Sequence, residues 1–218
     1  MENNPDVVLI QETKQTDAKF PFVPLEQLGY QSAHYGQGQW NGVAIFSKVG
    51  LDDVTRGFGD EDPEARIIGA TCGGVRVYSC YVPNGRALDD PHYAYKLQWL
   101  AKLADLVSHR DTSQPFAAGG DFNVAPTDLD CYDPSAFLGA THVSEPERAA
   151  LRALEGAGSV SYTHLDVYKR QALSLARGED RGDTGLVPES SRGRVAARRT
   201  REHGRVAVCS PADALPVA

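Results

Sequence analysis

Reactive residue types are densest in Gly119-Gly120-Asp121-Phe122-Asn123-Val124-Ala125-Pro126-Thr127-Asp128-Leu129-Asp130. An apolar stretch at 116–118 runs into two glycines. An acid and an amide two residues apart follow, then a proline-marked loop with two more acids. Residues i and i+2 of a strand share a face, which predicts that Asp121 and Asn123 point together from a strand end into a cleft. A carboxylate beside a neutral amide suits metal-assisted attack on phosphate: one group handles the water, the other donates to a charged oxygen. Gly-Asp-x-Asn is also ordinary turn chemistry after a strand, so other parts of the chain must decide between the two.

Three other strings carry candidate partners. Glu12 follows the apolar run 7–10, beside Gln11 and Lys14. Alone it reads as a solvated acid; with Asp121 it could serve Mg²⁺, which takes one or two carboxylates and completes its octahedron with water and substrate phosphate. Tyr78-Ser79-Cys80-Tyr81-Val82-Pro83-Asn84-Gly85-Arg86 reads as a strand ending in a Pro-Asn-Gly turn. It sets the Tyr81 hydroxyl and the Asn84 and Arg86 side chains where donors could stabilise a phosphate. In Trp40-Asn41-Gly42-Val43-Ala44-Ile45, Asn41 either binds phosphate or simply makes the turn.

The elements needed to position these groups follow from periodicity. Residues 7–10 form a buried strand, and 30–35 and 42–47 form two more, joined through Gly36, Gly38 and Asn41. Between them, 16–28 is a short helical or irregular connection broken by Pro21 and Pro24. Residues 67–71 and 75–81 form a hairpin across Gly73-Gly74. The segment 91–109 is the clearest helix, with Tyr95, Trp99, Leu103 and Leu106 at helical spacing and Leu100 and Val107 widening the stripe. Residues 116–121 form the next strand, and Ser144-Glu145-Pro146-Glu147 is a capping box opening a helix that runs to Gly156 and Gly158. Strands with helices between some of them give a mixed α/β domain.

Composition sets limits. A chain of 218 residues can bury a real core, and no stretch approaches the apolar length of a membrane span. The N-terminus, Met-Glu-Asn-Asn-Pro-Asp, has no signal-peptide character. Cys72, Cys80, Cys131 and Cys209 show no metal-like spacing and read as free thiols in a reducing cytoplasm. The net charge of −7 weighs against non-specific DNA binding, although an acidic metal site biases that sum. Nothing points to an assembly, so a monomer is expected.

Charge is uneven along the chain. Residues 1–158 carry 12 Lys+Arg against 22 Asp+Glu, whereas 159–218 carry 10 against 7. Residues 171–218 hold eight arginines but no Lys, Ile, Asn, Met, Phe, Tyr or Trp. With so little apolar surface to offset chain entropy, 159–218 is expected to be disordered or non-native. Residues 160–171 resemble a translated adapter string, and 172–218 a GC-rich gene read out of frame. The alternative is a genuine basic tail that touches DNA backbone.

Together, Leu-Ile-Gln-Glu-Thr-Lys (9–14), Trp-Asn-Gly-Val-Ala-Ile (40–45), Tyr-Val-Pro-Asn-Gly (81–85) and the string 119–130 resemble the exonuclease III family of DNA-repair nucleases. That family lies within the DNase I-like endonuclease/exonuclease/phosphatase superfamily. The resemblance covers about residues 5 to 157 and implies an α/β (α+β) two-sheet sandwich flanked by helices over 1–158. It implies a Mg²⁺- or Mn²⁺-dependent hydrolase of base excision repair, acting on double-stranded DNA as a 3′-5′ exodeoxyribonuclease and abasic-site endonuclease. Glu12 would bind the metal, with Asp121 and Asn123 alongside. Asp121 would orient or deprotonate the attacking water, Asn123 would position water or stabilise the phosphate, and Tyr81 would contact the scissile phosphate. Asn41, Asn84 and Arg86 would bind substrate. The family's first strand, with its Asn, and its later Arg-Ile-Asp and Ser-Asp-His strings have no counterpart here, so an impaired fragment truncated at both ends is expected. The alternatives are an inactive remnant, or a phosphatase or phosphodiesterase of the same superfamily.

Overall fold

Short apolar runs closed by glycine and polar turns become strands here, and they assemble into two sheets. The computed structural model describes residues 4–60 and 62–157, with the backbone of three short strands beyond them. In chain order the elements are β1 (Val7–Gln11), α1 (Phe22–Gln27), β2 (Gln31–Tyr35), β3 (Val43–Ser47), β4 (Asp52–Arg56), β5 (Ile67–Cys72), β6 (Val75–Tyr81), α2 (Pro91–Ser108), β7 (Phe116–Asp121), α3 (Glu145–Gly156), β8 (Val160–Ser161), β9 (Val195–Ala196) and β10 (Arg205–Cys209). One sheet has the order β2-β3-β1-β9 and the other β4-β5-β6-β7-β10-β8. All pairings are antiparallel except β6–β7 and β1–β9.

The two-residue period of a strand sorts side chains into two apolar layers. Val7, Ala33, Val43, Ile45, Ile68, Ala70 and Val77 fill the space between the sheets. The opposite face of the six-stranded sheet (Ile67, Tyr78, Cys80, Phe116 and Ala118) packs on Trp99, Leu100, Leu103 and Val107 of α2 and on Leu151 and Leu154 of α3. Leu106, expected in the α2 stripe, is only partly buried, whereas Lys96 is fully buried. The Ser144 box forms as expected: Ser144 Oγ accepts from Glu147 N, and the Glu147 carboxylate accepts from Ser144 N.

Two details differ from the sequence expectation. Strand β4 was not foreseen, because all five of its residues are exposed and lie at a sheet edge, where no apolar alternation is required. Pro24 does not break α1 but sits in its first turn, where a missing N–H leaves no helical bond unmade. Within 159–218 the described backbone is three short strands: β10 pairs with β7, β8 with β10, and β9 pairs two residues with β1. Val206 and Val208 alternate in Arg-Val-Ala-Val-Cys, and main-chain bonds to an open strand edge ask little more of the sequence. The rest of that stretch, including His164 and His203, lies outside the described residues.

Candidate active site

Three strands end at one place. Tyr81 is the last residue of β6 and Asp121 the last of β7, and the parallel register makes them direct partners, side by side on one face. That face looks toward β1 in the other sheet. Gln11 Nε2 donates to Ser79 Oγ at 3.0 Å, and Ser79 Oγ donates to the Ile10 carbonyl at 3.1 Å. Glu12, one residue beyond β1 and at φ 53°, therefore emerges above Tyr81.

Gly119 and Gly120 allow this approach. A methyl group at Gly119 would stand 3.0 Å from Leu9 Cδ1 across the sandwich, and one at Gly120 would stand 1.9 Å from the Cys80 carbonyl oxygen in the neighbouring strand. The two glycines ahead of Asp121 thus set both the gap between the sheets and the gap between β6 and β7.

The Tyr81 hydroxyl hydrogen-bonds the Glu12 carboxylate and feels the Asp121 charge. Burial above all, then the Glu12 charge, pushes this phenol up to about 12, with Arg66 opposing the rise. Arg66 lies over the Tyr81 ring with its guanidinium carbon 4.6 Å from the ring centre, donates to the Tyr81 carbonyl at 3.3 Å and pairs with Glu64. Tyr81 is therefore a neutral hydrogen-bond donor held between two acids and one arginine. Glu12 also pairs with Lys14 at 2.7 Å, and both side chains stay in reach of solvent.

Asp121 and Asn123 are related differently from the strand alternation expected. The strand stops at Asp121, and Asn123 turns left-handed at φ 50°. Its backbone N–H donates to Asp121 Oδ1 at 2.9 Å, and its buried amide donates to the Val82 carbonyl at 2.8 Å. Asn123 thus holds the Asp121 carboxylate and ties the β7 loop to the β6 loop.

Of the three expected substrate contacts, none is brought against Tyr81. Asn41, at φ 56°, donates from Nδ2 to Gln37 at 3.3 Å, while its carbonyl accepts from Lys14 N at 3.0 Å. It thereby shapes the loop carrying Glu12. Asn84 Oδ1 accepts from Arg86 N at 3.1 Å, and Nδ2 lies 3.2 Å from His142 Nε2. Arg86 is exposed, 3.9 Å from Asp90. Sequence reasoning missed Arg66, His142 and Lys96, and read Glu147 only as a helix cap, because contacts such as Arg66 on Tyr81, His142 at Asn84 and Lys96 on Glu147 join residues distant in the chain. It also missed His34, buried between Thr13 Oγ1 and Asp17 Oδ1, each 2.7 Å away. Its pKa is lowered, mainly by burial, against the pull of Asp17.

Among the described residues, no group of three or more His, Cys, Asp or Glu could hold a metal. Magnesium needs fewer, since one or two carboxylates with water and phosphate suffice. Two carboxylates acting on one phenol offer oxygen donors alone, which fits a hard divalent cation. No described helix is long and apolar enough to cross a membrane.

Residues 2–200 match the Endonuclease/Exonuclease/phosphatase family. The chain is 36% identical over 134 residues to exodeoxyribonuclease III of Haemophilus influenzae, covering 58% of this chain and 50% of that protein. It is 31% identical over 167 residues to an exodeoxyribonuclease of Bacillus subtilis, covering 75% and 66%. The chain thus spans about half to two thirds of the length of these relatives. Among solved structures, a 3′-5′ exonuclease (NExo) from Neisseria meningitidis superposes with a TM-score of 0.76 at 32% identity, covering 95% of this chain and 77% of that one. An AP endonuclease from Archaeoglobus fulgidus superposes at 0.74 and 30%, covering 96% and 78%. A Neisseria 3′ phosphatase NExo bound to product DNA hairpin gives 0.76 and 32%, covering 95% and 77%.

Proposed function

The chain belongs to the Endonuclease/Exonuclease/phosphatase family, and from that premise we propose a divalent-metal-dependent DNA phosphodiester hydrolase of exonuclease III type. Its substrates are double-stranded DNA with 3′ ends or abasic sites. The observation that carries this reading is the meeting of Glu12 and Asp121 around the Tyr81 hydroxyl, each group delivered by a different strand.

The chemistry divides among these residues. Glu12, with Asp121 beside it, would hold Mg²⁺ or Mn²⁺, which when bound supplies positive charge to the phosphate. Asp121, with Oδ1 fixed by the Asn123 N–H, directs its other oxygen to a water and takes its proton as the water oxygen bonds to phosphorus. Tyr81 stays protonated at working pH and donates to a non-bridging oxygen as negative charge builds there. Arg66 keeps the ring in place and lends positive charge beneath it. The ester oxygen then departs and takes a proton from solvent. Asn41, Asn84 and Arg86 act farther out: Asn41 through the Glu12 loop, and Asn84 and Arg86 toward the DNA backbone.

A DNA 3′-phosphate presents the same non-bridging oxygens, and the likeness to the Neisseria 3′ phosphatase favours testing that substrate too. The free thiols Cys72, Cys80 and Cys131 support a reducing compartment, and we propose a cytoplasmic monomer. The functional test follows Mg²⁺-dependent cleavage of an abasic duplex, a blunt 3′ end and a 3′-phosphorylated end, with Asp121→Asn as control. Metal-dependent turnover that falls ~10²–10⁴-fold in Asp121→Asn is expected. Turnover of a soluble inositol phosphate, with none on any DNA, would overturn the assignment.

A further inference from the structure

A buried ion pair lies against the loops that leave β6 and β7, and the chemistry above does not use it. Lys96 on α2 and Glu147 on α3 are both fully shielded from solvent, where a charge is tolerated only when paired and hydrogen-bonded. Lys96 Nζ donates to the Glu147 carboxylate, to the Asn123 carbonyl at 2.6 Å and to the Asn84 carbonyl at 3.3 Å. That uses all three of its N–H groups. Glu147 is equally committed: Oε1 also accepts from His142 N at 2.9 Å, and Oε2 accepts from Ser144 N and Oγ at 3.1 and 2.6 Å.

The two carbonyls are the informative partners. Asn84 lies three residues past Tyr81 on the loop leaving β6, and Asn123 lies two past Asp121 on the loop leaving β7. Asn123 holds a left-handed backbone that carries a conformational cost for a residue with a side chain. The bond from Asn123 Nδ2 to Val82 O joins the loops at their roots; the ammonium joins them farther out. A helix on the outer face of the sheet thus reaches both loops that continue from the site.

We infer that Lys96, neutralised by Glu147, is a positioning residue for the hydrolysis. It acts through the main chain of Asn84 and Asn123 to fix the β6 and β7 loops, and through them the alignment of Tyr81 and Asp121. This rests on the nuclease reading, yet the ordering of the loops is measurable without turnover.

The decisive variant of the full chain is Lys96→Met/Glu147→Gln, which keeps side-chain volume and removes both buried charges together, so no uncompensated charge remains. Its melting temperature is expected to fall modestly, since the Asn84 and Asn123 carbonyls lose a donor, and rates are scaled to the folded fraction. Its kcat on an abasic duplex falls ~100-fold with KM little changed, as for a misplaced reacting group. Amide exchange at Asn123 and Arg86, whose N–H groups bond Asp121 Oδ1 and Asn84 Oδ1, quickens by at least ~10-fold as the loops open locally. Wild-type kcat together with wild-type exchange in the folded double variant overturns the inference, because a purely structural pair would be replaced without loss. Should the double variant not fold, amide exchange in the wild-type chain decides: protection of the Asn123 and Arg86 N–H groups at the level of the α2 amides supports the inference, whereas exchange as fast as in exposed loops overturns it. If the wild-type chain cleaves no DNA, the nuclease reading fails by itself, and the exchange rates still judge Lys96.

Discussion

Gly119 and Gly120 are adjacent and chemically identical, yet alanine should be tolerated at one and not at the other. At Gly120, φ is +147°, and an added methyl would lie 1.9 Å from the Cys80 carbonyl oxygen, 2.9 Å from its carbon and 3.0 Å from its nitrogen. All three are backbone atoms of the direct ladder partner, so no side-chain rotation relieves the clash. Restoring an ordinary contact of about 3.5 Å would part β6 from β7 by roughly 1.5 Å. The unfavourable backbone angle costs about 1–3 kcal/mol, and overpacking about as much again. A domain of this size loses roughly 2–4 °C per kcal/mol, so Gly120→Ala should lower the melting temperature by at least ~5 °C. Tyr81 and Asp121 are each one residue beyond the clash, and separating them by an ångström costs about 10²-fold in rate per folded molecule. At Gly119 the added methyl meets only Leu9 Cδ1, at 3.0 Å, the tip of a flexible side chain, so Gly119→Ala should cost about 1 kcal/mol. Melts followed by circular dichroism, with single-turnover cleavage scaled to the folded fraction, measure both effects. Equal stability and equal turnover in the two variants would refute the close approach of β6 to β7.

Tyr81→Phe removes the neutral donor and should lower kcat by ~10²–10³-fold. Because the folded Tyr81 holds its proton up to about 12 against an ordinary 10, its stabilising contribution is present below pH 10 and is lost as pH rises through about 12. The wild-type rate profile should therefore show no Tyr81 downturn at pH 10; a break there that vanishes in Tyr81→Phe contradicts a buried phenol. Glu12→Gln tests the cation: Mg²⁺ at ~100 times its Kd should stabilise the wild-type chain by about 2.7 kcal/mol. The variant should lose most of that thermal shift, and an identical shift in both proteins removes Glu12 from the metal's shell.

The strands that deliver the site were legible because each is a short apolar run with a period-two face. Residues 7–10 and 116–121 are read straight from composition, and so is the capping box at Ser144. Strand β4 was silent, since Asp-Asp-Val-Thr-Arg at an exposed edge buries nothing that would leave a pattern. Asn123 was placed on the wrong geometry because alternation was carried two residues past the end of β7, where the backbone had already turned. Lys96 sits among the apolar residues of α2, where a lysine ordinarily reads as a stem that snorkels to water. Only Glu147, on another helix, makes its full burial possible. Arg66 was hidden for a similar reason: its partners Glu64 and Tyr81 meet around it only when β5 and β6 pair.

The backbone separation between Tyr81 and Asp121 is one strand spacing, ~4.8 Å, set by the hydrogen-bond ladder, while the loop roots at Asn84 and Asn123 govern how the side chains are aimed. Reactive groups mounted this way travel as a block. Insertions or deletions in 87–90 or 126–140, outside the Lys96 and Glu147 contacts, can reshape the surroundings while the Tyr81–Asp121 pair keeps its dimensions. A scaffold wired like this invites diversification of its targets over a fixed engine, with selectivity rewritten at the rim and reactivity inherited unchanged from the sheet.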